Sequence, residues 1–320
     1  MKVRQIFDKI IERGIESDVR EKKGIKAVLD QAKKEYKGLA DERKKYFDME
    51  KLTNPFDDSR ILHIADDVDV QDIIVGIDVD VQDLLLVDRL REKGQNIDLV
   101  CAHHPCGRAA PIFSGVMKLQ ADLHYKFGVP IHIAEALIEE REKEVGRRVL
   151  VGNSERVTDA AKRLGISLMC THTPADNCVS DYLQKLFDKK KPRLVGDIID
   201  ILYGIPEYQM SAEANSPPKI YVGSESRRAG NIFVDMTGGT TGNKKSLEKL
   251  SAAGVGTVVG MHIPEDHRKE AEKHSMNVVI AGHISSDSLG MNIVLDAVEN
   301  RGKPKIHEFS GYRRVARKKK

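Results

Sequence analysis

At 320 residues, 40% of them hydrophobic, the chain is long enough for about two domains with a sizeable core. Its 52 Lys and Arg nearly balance 49 Asp and Glu for a formal net charge of +3, which speaks against a broadly basic nucleic-acid binder. No apolar run approaches about 18 residues, so no membrane-spanning helix is expected, and the charged opening MKVRQIFDKIIERG does not read as a signal peptide.

Residues 1–52 read as a helical extension. Val3, Ile6, Phe7, Ile10 and Ile11 form an i, i+3, i+4 stripe, and a second amphipathic stretch over 25–39 carries Val28, Leu29, Ala32 and Tyr36. The extension is expected to pack on the core or on another subunit. A first α/β domain is predicted over 53–190. RILHIA and IIVGIDV read as strands, QDLLLVDRLREKG as a helix ending at Gly94, and IDLVCAHH as the next strand. VMKLQADLHYKFG is a predicted helix closed by Gly128, and VPIHIA a predicted strand. The Glu/Arg-rich stretch 135–149 reads as an exposed helix supported by i,i+4 pairs. TDAAKRLG is the next helix, followed by the strand ISLMCTH.

A second α/β region is predicted over 191–300. Pro206, Pro217 and Pro218 mark segment 206–218 as a loop or linker. Beyond it KIYVG, NIFVDMT, GTVVGMH and NVVIAGH read as strands, with helices from about residues 244, 266 and 288. Residues 301–320 read as a solvated basic tail, with RRVARKKK offering at most weak contact with RNA or acidic surfaces. The fold class predicted is therefore α/β: two βα-repeat domains with mixed sheets, plus the N-terminal helical extension.

Three segments end an apolar run in a metal-ligand side chain: IDLVCAHHP (97–105), ISLMCTHTPAD (166–176) and NVVIAGHISSD (277–287). Runs of that length read as buried strands. In open α/β sheets the functional crevice lies beyond the carboxyl ends of the strands, so His103, His104, His172, Asp176, His283 and Asp287 are expected to converge there. A lone His at a strand end is ordinarily a polar residue meeting solvent. Here His103 and His104 are adjacent and followed by Pro105, while His172–Asp176 and His283–Asp287 share the spacing HxxxD, which favours a metal centre for the set. Imidazole with carboxylate suits Zn, Fe, Mn or Co. Six such groups exceed one tetrahedral ion and suit two divalent ions sharing a carboxylate.

HHP after a strand, then HTxxD, then GHxxSD resembles the NGG-one interacting factor three family, whose members are described as dinuclear-metal-centre proteins and GTP cyclohydrolase 1 type 2 homologs. The resemblance runs from about residue 54 (NPFDDSRIL) to about residue 296. It implies His103 and His104 as ligands of the two metals, Asp176 as a ligand from the middle motif and His283 as one from the last. Asp287 stands where the family usually has a bridging Glu, one methylene longer. The segment CGRAAPIF after HHP also departs from the more hydrophobic stretch of the family. A ring-like homo-oligomer, often a hexamer, is implied as well.

The loop TGGTTGNKKS (237–246) follows a strand and precedes a helix but does not match the register of a Walker A loop; glycines there would let backbone N–H groups approach an anion. His262 repeats the HxxxD spacing with Asp266 and is expected to face the same crevice. His63, His124, His132, His267, His274 and His307 lack a partner pattern. The four cysteines, Cys101, Cys106, Cys170 and Cys178, form no CxxC pair, so a reducing cytoplasm is the expected location and core packing the expected role. The function these readings favour is metal-dependent hydrolysis of a nucleotide-like or phosphorylated small molecule, with His172 or His262 as proton shuttle. A non-catalytic metal-dependent regulatory or adaptor protein is the alternative, with metal storage or delivery a third.

Overall fold

Short apolar runs bounded by turn residues are realised as two mixed sheets in the computed structural model, which describes residues 1–317. The first sheet contains β1 (Arg60–His63), β2 (Asp72–Gly76), β3 (Leu99–Ala102) and β4 (Ser167–Cys170). The second contains β5 (Lys219–Val222), β6 (Asn231–Asp235), β7 (Val255–Gly260) and β8 (Asn277–Ile280). A ninth strand, β9 (Lys305–Glu308), returns to the first sheet and completes the order β1-β4-β3-β2-β9; the second sheet runs β5-β8-β7-β6. Parallel pairs form each centre, and β1 and β5 run antiparallel to their neighbours. The strands β3 and β4 are buried throughout, as parallel strands covered on both faces must be.

Two long helices, Thr173–Lys190 and His283–Gly302, lie between the sheets and follow β4 and β8 directly. Ala175 and Cys178 pack toward the first sheet with Met291 and Val294, while Val179, Leu183, Phe187 and Leu289 pack into the core of the second. The helices approach so closely that a Cβ on Gly290 would lie 2.4 Å from the carbonyl oxygen of Ala175. That contact brings the N-terminal ends of both helices, and so Asp176 and Asp287, to one place. No helix among the described residues is long and apolar enough to cross a membrane.

The N-terminal helix Val3–Glu16 packs on the core: Ile6, Phe7 and Ile10 lie against the first sheet and the helix His283–Gly302. The following helix, Glu21–Gly38, buries only Ile25. Three sequence expectations are overturned. VPIHIA is not a strand: Pro130 caps the helix Ile131–Val149, whose Ala134, Ile138 and Val145 continue at helical spacing through the charged stretch. Segment 206–218 is not simply a linker, because Pro206 opens the helix Pro206–Glu213, where its missing N–H is no loss. Nor is 301–320 simply a solvated tail. β9 pairs with β2, Tyr312 is fully buried with its hydroxyl donating to Asn292 Oδ1 at 2.6 Å, and Arg314 and Arg317 pair with Glu299 and Glu207. The last three residues of the expected basic run lie outside the described residues.

His124, read from sequence as ordinary, sits in the helix Leu119–Lys126 with 5% exposure, its ring 5.9 Å from that of Phe233 and its Nδ1 without a partner. Burial pushes its imidazole down to about 4. The folded chain keeps His124 neutral where the unfolded chain takes up a proton, so its contribution is fully present above about pH 6.5 and is lost as pH falls toward 4. Between pH 7 and pH 4.5 the wild type is expected to lose roughly 2–3 kcal/mol more unfolding free energy than His124→Phe, because the unfolded chain takes up a proton there that the folded chain does not. Urea titrations at both pH values measure it; parallel losses would show that His124 is not the acid-sensitive group.

Candidate metal centre

The ends of β2, β3, β4 and β8 build the crevice. Past β3 the ladder continues for two residues, with His103 N–H donating to Gly76 O and His104 N–H to Ile77 O, both at 2.9 Å. The chain then breaks at Pro105, which projects the two imidazoles beyond the sheet. His172 ends the run after β4 and caps the helix that carries Asp176 in its first turn. Gly282, at φ +119°, turns the chain after β8 so that His283 opens the next helix, one turn before Asp287.

Three of the imidazoles are held through Nδ1. That of His103 donates to the Thr171 carbonyl at 3.2 Å, that of His104 to Asp78 at 2.7 Å and that of His172 to Asp58 at 2.8 Å. Each Nε2 is thereby left for the crevice. His103 Nε2 lies 3.4 Å from Asp176 Oδ1 and 3.5 Å from Asp287 Oδ1. His104 Nε2 and His283 Nε2 lie 3.5 and 3.6 Å from the other oxygen of Asp287, and His172 Nε2 lies 3.6 Å from Asp176 Oδ2. These groups do not satisfy one another: His103 Nε2, Asp176 Oδ1 and both oxygens of Asp287 are buried without a hydrogen-bond partner among the described residues. Buried polar atoms in native proteins are nearly always satisfied, so four orphans facing one space call for a partner that protein atoms do not supply. Donor atoms of His103, Asp176 and Asp287, of His104, His283 and Asp287, and of His103, His104 and His172 cluster closely enough for each trio to hold an ion. A buried set of imidazoles and carboxylates, with Nδ1 fixed from outside, fits a divalent transition metal.

The electrostatics match. Burial raises the Asp287 carboxyl, but the charge of His103 and the nearness of the His104 and His283 imidazoles outweigh it and hold the group far below the usual range. Burial would lower His103, yet Asp287 and Asp176 raise it well above its ordinary value. Asp58 is fully buried; hydrogen bonds from His172, Thr173 and Ser59 offset the cost of burial and keep it below the usual carboxylate range.

All seven residues singled out from sequence come to this crevice. His262 stands with its ring centroid 5.2 Å from that of His283, and burial followed by the His283 charge lowers its pKa. It lines a cavity of about 60 Å³ with His172, Asp176, Thr240, Thr241 and His283. Thr240 and Thr241 belong to the glycine loop, which Gln120 of the helix Leu119–Lys126 anchors by donating from Nε2 to the Gly238 and Thr240 carbonyls at 2.8 and 2.6 Å. The helix after the loop, Ser246–Ala252, is only seven residues long. Cys101, Cys170 and Cys178 are buried and free, and burial pushes the Cys101 thiol up to about 12, in keeping with a core role.

Sequence reasoning missed Asp58, Asp78 and Asp235. Asp58 lies within NPFDDSRIL, but nothing local distinguishes it from Asp57. Asp235 lines the same cavity at the end of β6, and burial pushes its carboxyl up to about 6. An acid at the carboxyl end of a predicted strand was the available signal.

No family model matches the sequence, nor does any curated protein. Among solved structures, a NIF3 superfamily protein from Sphaerobacter thermophilus is 27% identical, with 79% of this chain and 91% of that one covered at a TM-score of 0.68. Reduced HcgD from Methanocaldococcus jannaschii is 14% identical over 76% of this chain and 84% of its own, at a TM-score of 0.48. TTHA1606 from Thermus thermophilus is 15% identical over 79% and 89%, at 0.46. The chain is NIF3-like, as the three ordered motifs imply.

Proposed function

We propose that this NIF3-like chain holds two divalent transition-metal ions and acts as a metal-dependent hydrolase on a nucleotide-like or phosphorylated small molecule. One observation carries the reading: Asp287 directs one unpartnered buried oxygen at His103 and the other at His104 and His283. His103 and Asp176 would hold one ion and His104 and His283 another, with Asp287 placed to serve both. The shorter side chain, where the family usually has Glu, reaches both donor groups. Bound there, such ions would supply activation of water near neutral pH and charge stabilisation for the oxygens of the hydrolysed bond.

The chain's own residues do the rest. His104 and His283 are 23% and 41% exposed at the side chain, so the crevice opens to substrate on their side. Asp58 orients His172, whose Nε2 faces the crevice and is placed to hold or hand on a proton. His262 is the second candidate for that task, beside the Thr241 hydroxyl at 3.4 Å. The GTP cyclohydrolase 1 type 2 description, a cytoplasmic setting and assembly into a homo-oligomer, a hexamer in particular, rest on resemblance and composition and belong to the same proposal.

Elemental analysis of purified, metal-reloaded protein, with a phosphoester and nucleotide screen, tests this reading. About two ions per chain are expected for the wild type. His103→Ala and His104→Ala should each lose most of one ion, while His63→Ala should lose none. Equal metal content in all three variants would remove the HHP motif from the site. Two ions without turnover across the screen would favour the non-catalytic regulatory role.

A further inference from the structure

A second cavity, of about 290 Å³, adjoins the metal crevice on the solvent side of His283, which lines both spaces. It is walled by the first turn of the helix His283–Gly302, by the helix Pro206–Glu213 and by the segment after β9. Three features there point to one kind of ligand. The amides of Ile284 and Ser285 precede the helix's first backbone bond, which Ser286 N–H makes to Gly282 O at 3.3 Å, and the first turn carries no acidic residue. A helix beginning so presents free N–H groups and the positive end of its dipole. Ser285, which lines the cavity, is 6% exposed and its Oγ has no partner among the described residues. Arg313 lines the opposite wall; its Nη1 donates only to the Tyr312 carbonyl, and no carboxylate pairs with it among the described residues.

The carboxylate in the wall does not oppose an anion. Glu207 is fully engaged, accepting from Arg317 Nη1 and Nη2 at 2.7 Å each and from Asn292 Nδ2 at 2.9 Å. The first turn itself is pinned, because Ser286 Oγ donates to the Gly282 carbonyl and pairs with the Tyr208 hydroxyl at 3.0 Å. The amides of this turn are therefore preorganised.

We infer that this cavity is a phosphate subsite, binding a non-reacting phosphate group of the substrate through the Ile284 and Ser285 amides, the Ser285 hydroxyl and the Arg313 guanidinium. The inference rests on the hydrolase reading for its role and narrows the substrate to a phosphorylated small molecule. The phosphate anchors one end beside His283 while another bond of the molecule lies at the metal centre. Binding energy from such a remote group is what positions the reacting part.

The test titrates inorganic phosphate into the full-length protein by calorimetry, in chelated and metal-loaded forms, with metal content measured in parallel. Saturable binding is expected in the chelated form. Arg313→Gln should weaken it at least about fivefold and Ser285→Ala about threefold, the scale of lost charge-assisted and neutral hydrogen bonds. Arg313→Lys, which keeps the charge, should retain most of the affinity and serves as the folding control. No saturable binding, binding confined to the metal-loaded form, or equal affinity in Arg313→Gln and the wild type would overturn the subsite. Failure here with two ions bound would leave the metal reading standing. Arg313-dependent phosphate binding without metal or turnover would uphold the subsite and remove the hydrolase.

Discussion

Asp287→Asn is expected to release both metal ions while leaving the fold intact. The side chain is 1% exposed, and each oxygen faces a different set of imidazoles at 3.5–3.6 Å. Asn keeps the shape but removes the negative charge that balances the ions. It also turns one oxygen into an NH₂ group, which repels an ion wherever it points. Loss of a residue that merely orients a ligand costs about 10–100-fold in metal affinity, so loss of a shared ligand should exceed about 100-fold for each ion. Asp287→Glu should keep two ions and bind the second at least as well, since it restores the longer reach. Elemental analysis after gel filtration decides the matter: an Asn variant that carries as much metal as the wild type would mean that this carboxylate is not a ligand, and the two-ion hydrolase would lose its bridge.

Arg60→Ala should destabilise the protein by roughly 3–5 kcal/mol, the scale of removing one buried partner from a charged, hydrogen-bonded network. Arg60 is fully buried. Its Nε donates to Asp48 Oδ2 at 2.7 Å, its Nη2 to Asp57 Oδ1 at 3.3 Å and its Nη1 to the Phe56 and Ser59 carbonyls. The guanidinium thus ties the loop before β1 into the turn that presents Asp58 and Ser59 to His172. Arg60→Lys retains the charge but not the planar fork, and should recover only part of the loss. Denaturant titrations give the ranking wild type, Lys, Ala; an Ala variant within about 1 kcal/mol of the wild type would show that the buried network adds little net stability.

The seven crevice residues were legible in the sequence because their signals are local. An apolar run of four to six residues reports a strand buried on both faces, and the polar residue that ends it must emerge at the strand's carboxyl edge. HxxxD at a helix start puts both side chains on one side by helical geometry alone. The same argument failed where local signals were ambiguous. VPIHIA alternates like a strand, yet Pro130 and the apolar spacing beyond it made it a helix start. Pro206 marks a helix's first turn as readily as a loop.

What holds the site together was decided by the tertiary structure. Asp58 supports His172 from 114 residues away, and nothing near either residue announces the other. β9 closes the first sheet beside β2, where His307 meets Asp72 across 235 residues. Short, polar and exposed at both ends, it has no periodicity of its own, and only the unpaired edge of β2 makes it a strand. The chain alone thus determined which side chains leave which strand ends, because a strand's period and a turn's chemistry are written within a few residues. Convergence of those ends, the outer hydrogen bonds that turn each Nε2 inward, and the close crossing of Gly290 on Ala175 that sets Asp176 beside Asp287 arose only when the two sheets packed around the same pair of helices. Contacts between residues far apart in sequence follow from the shape of the whole buried core, which no local pattern specifies.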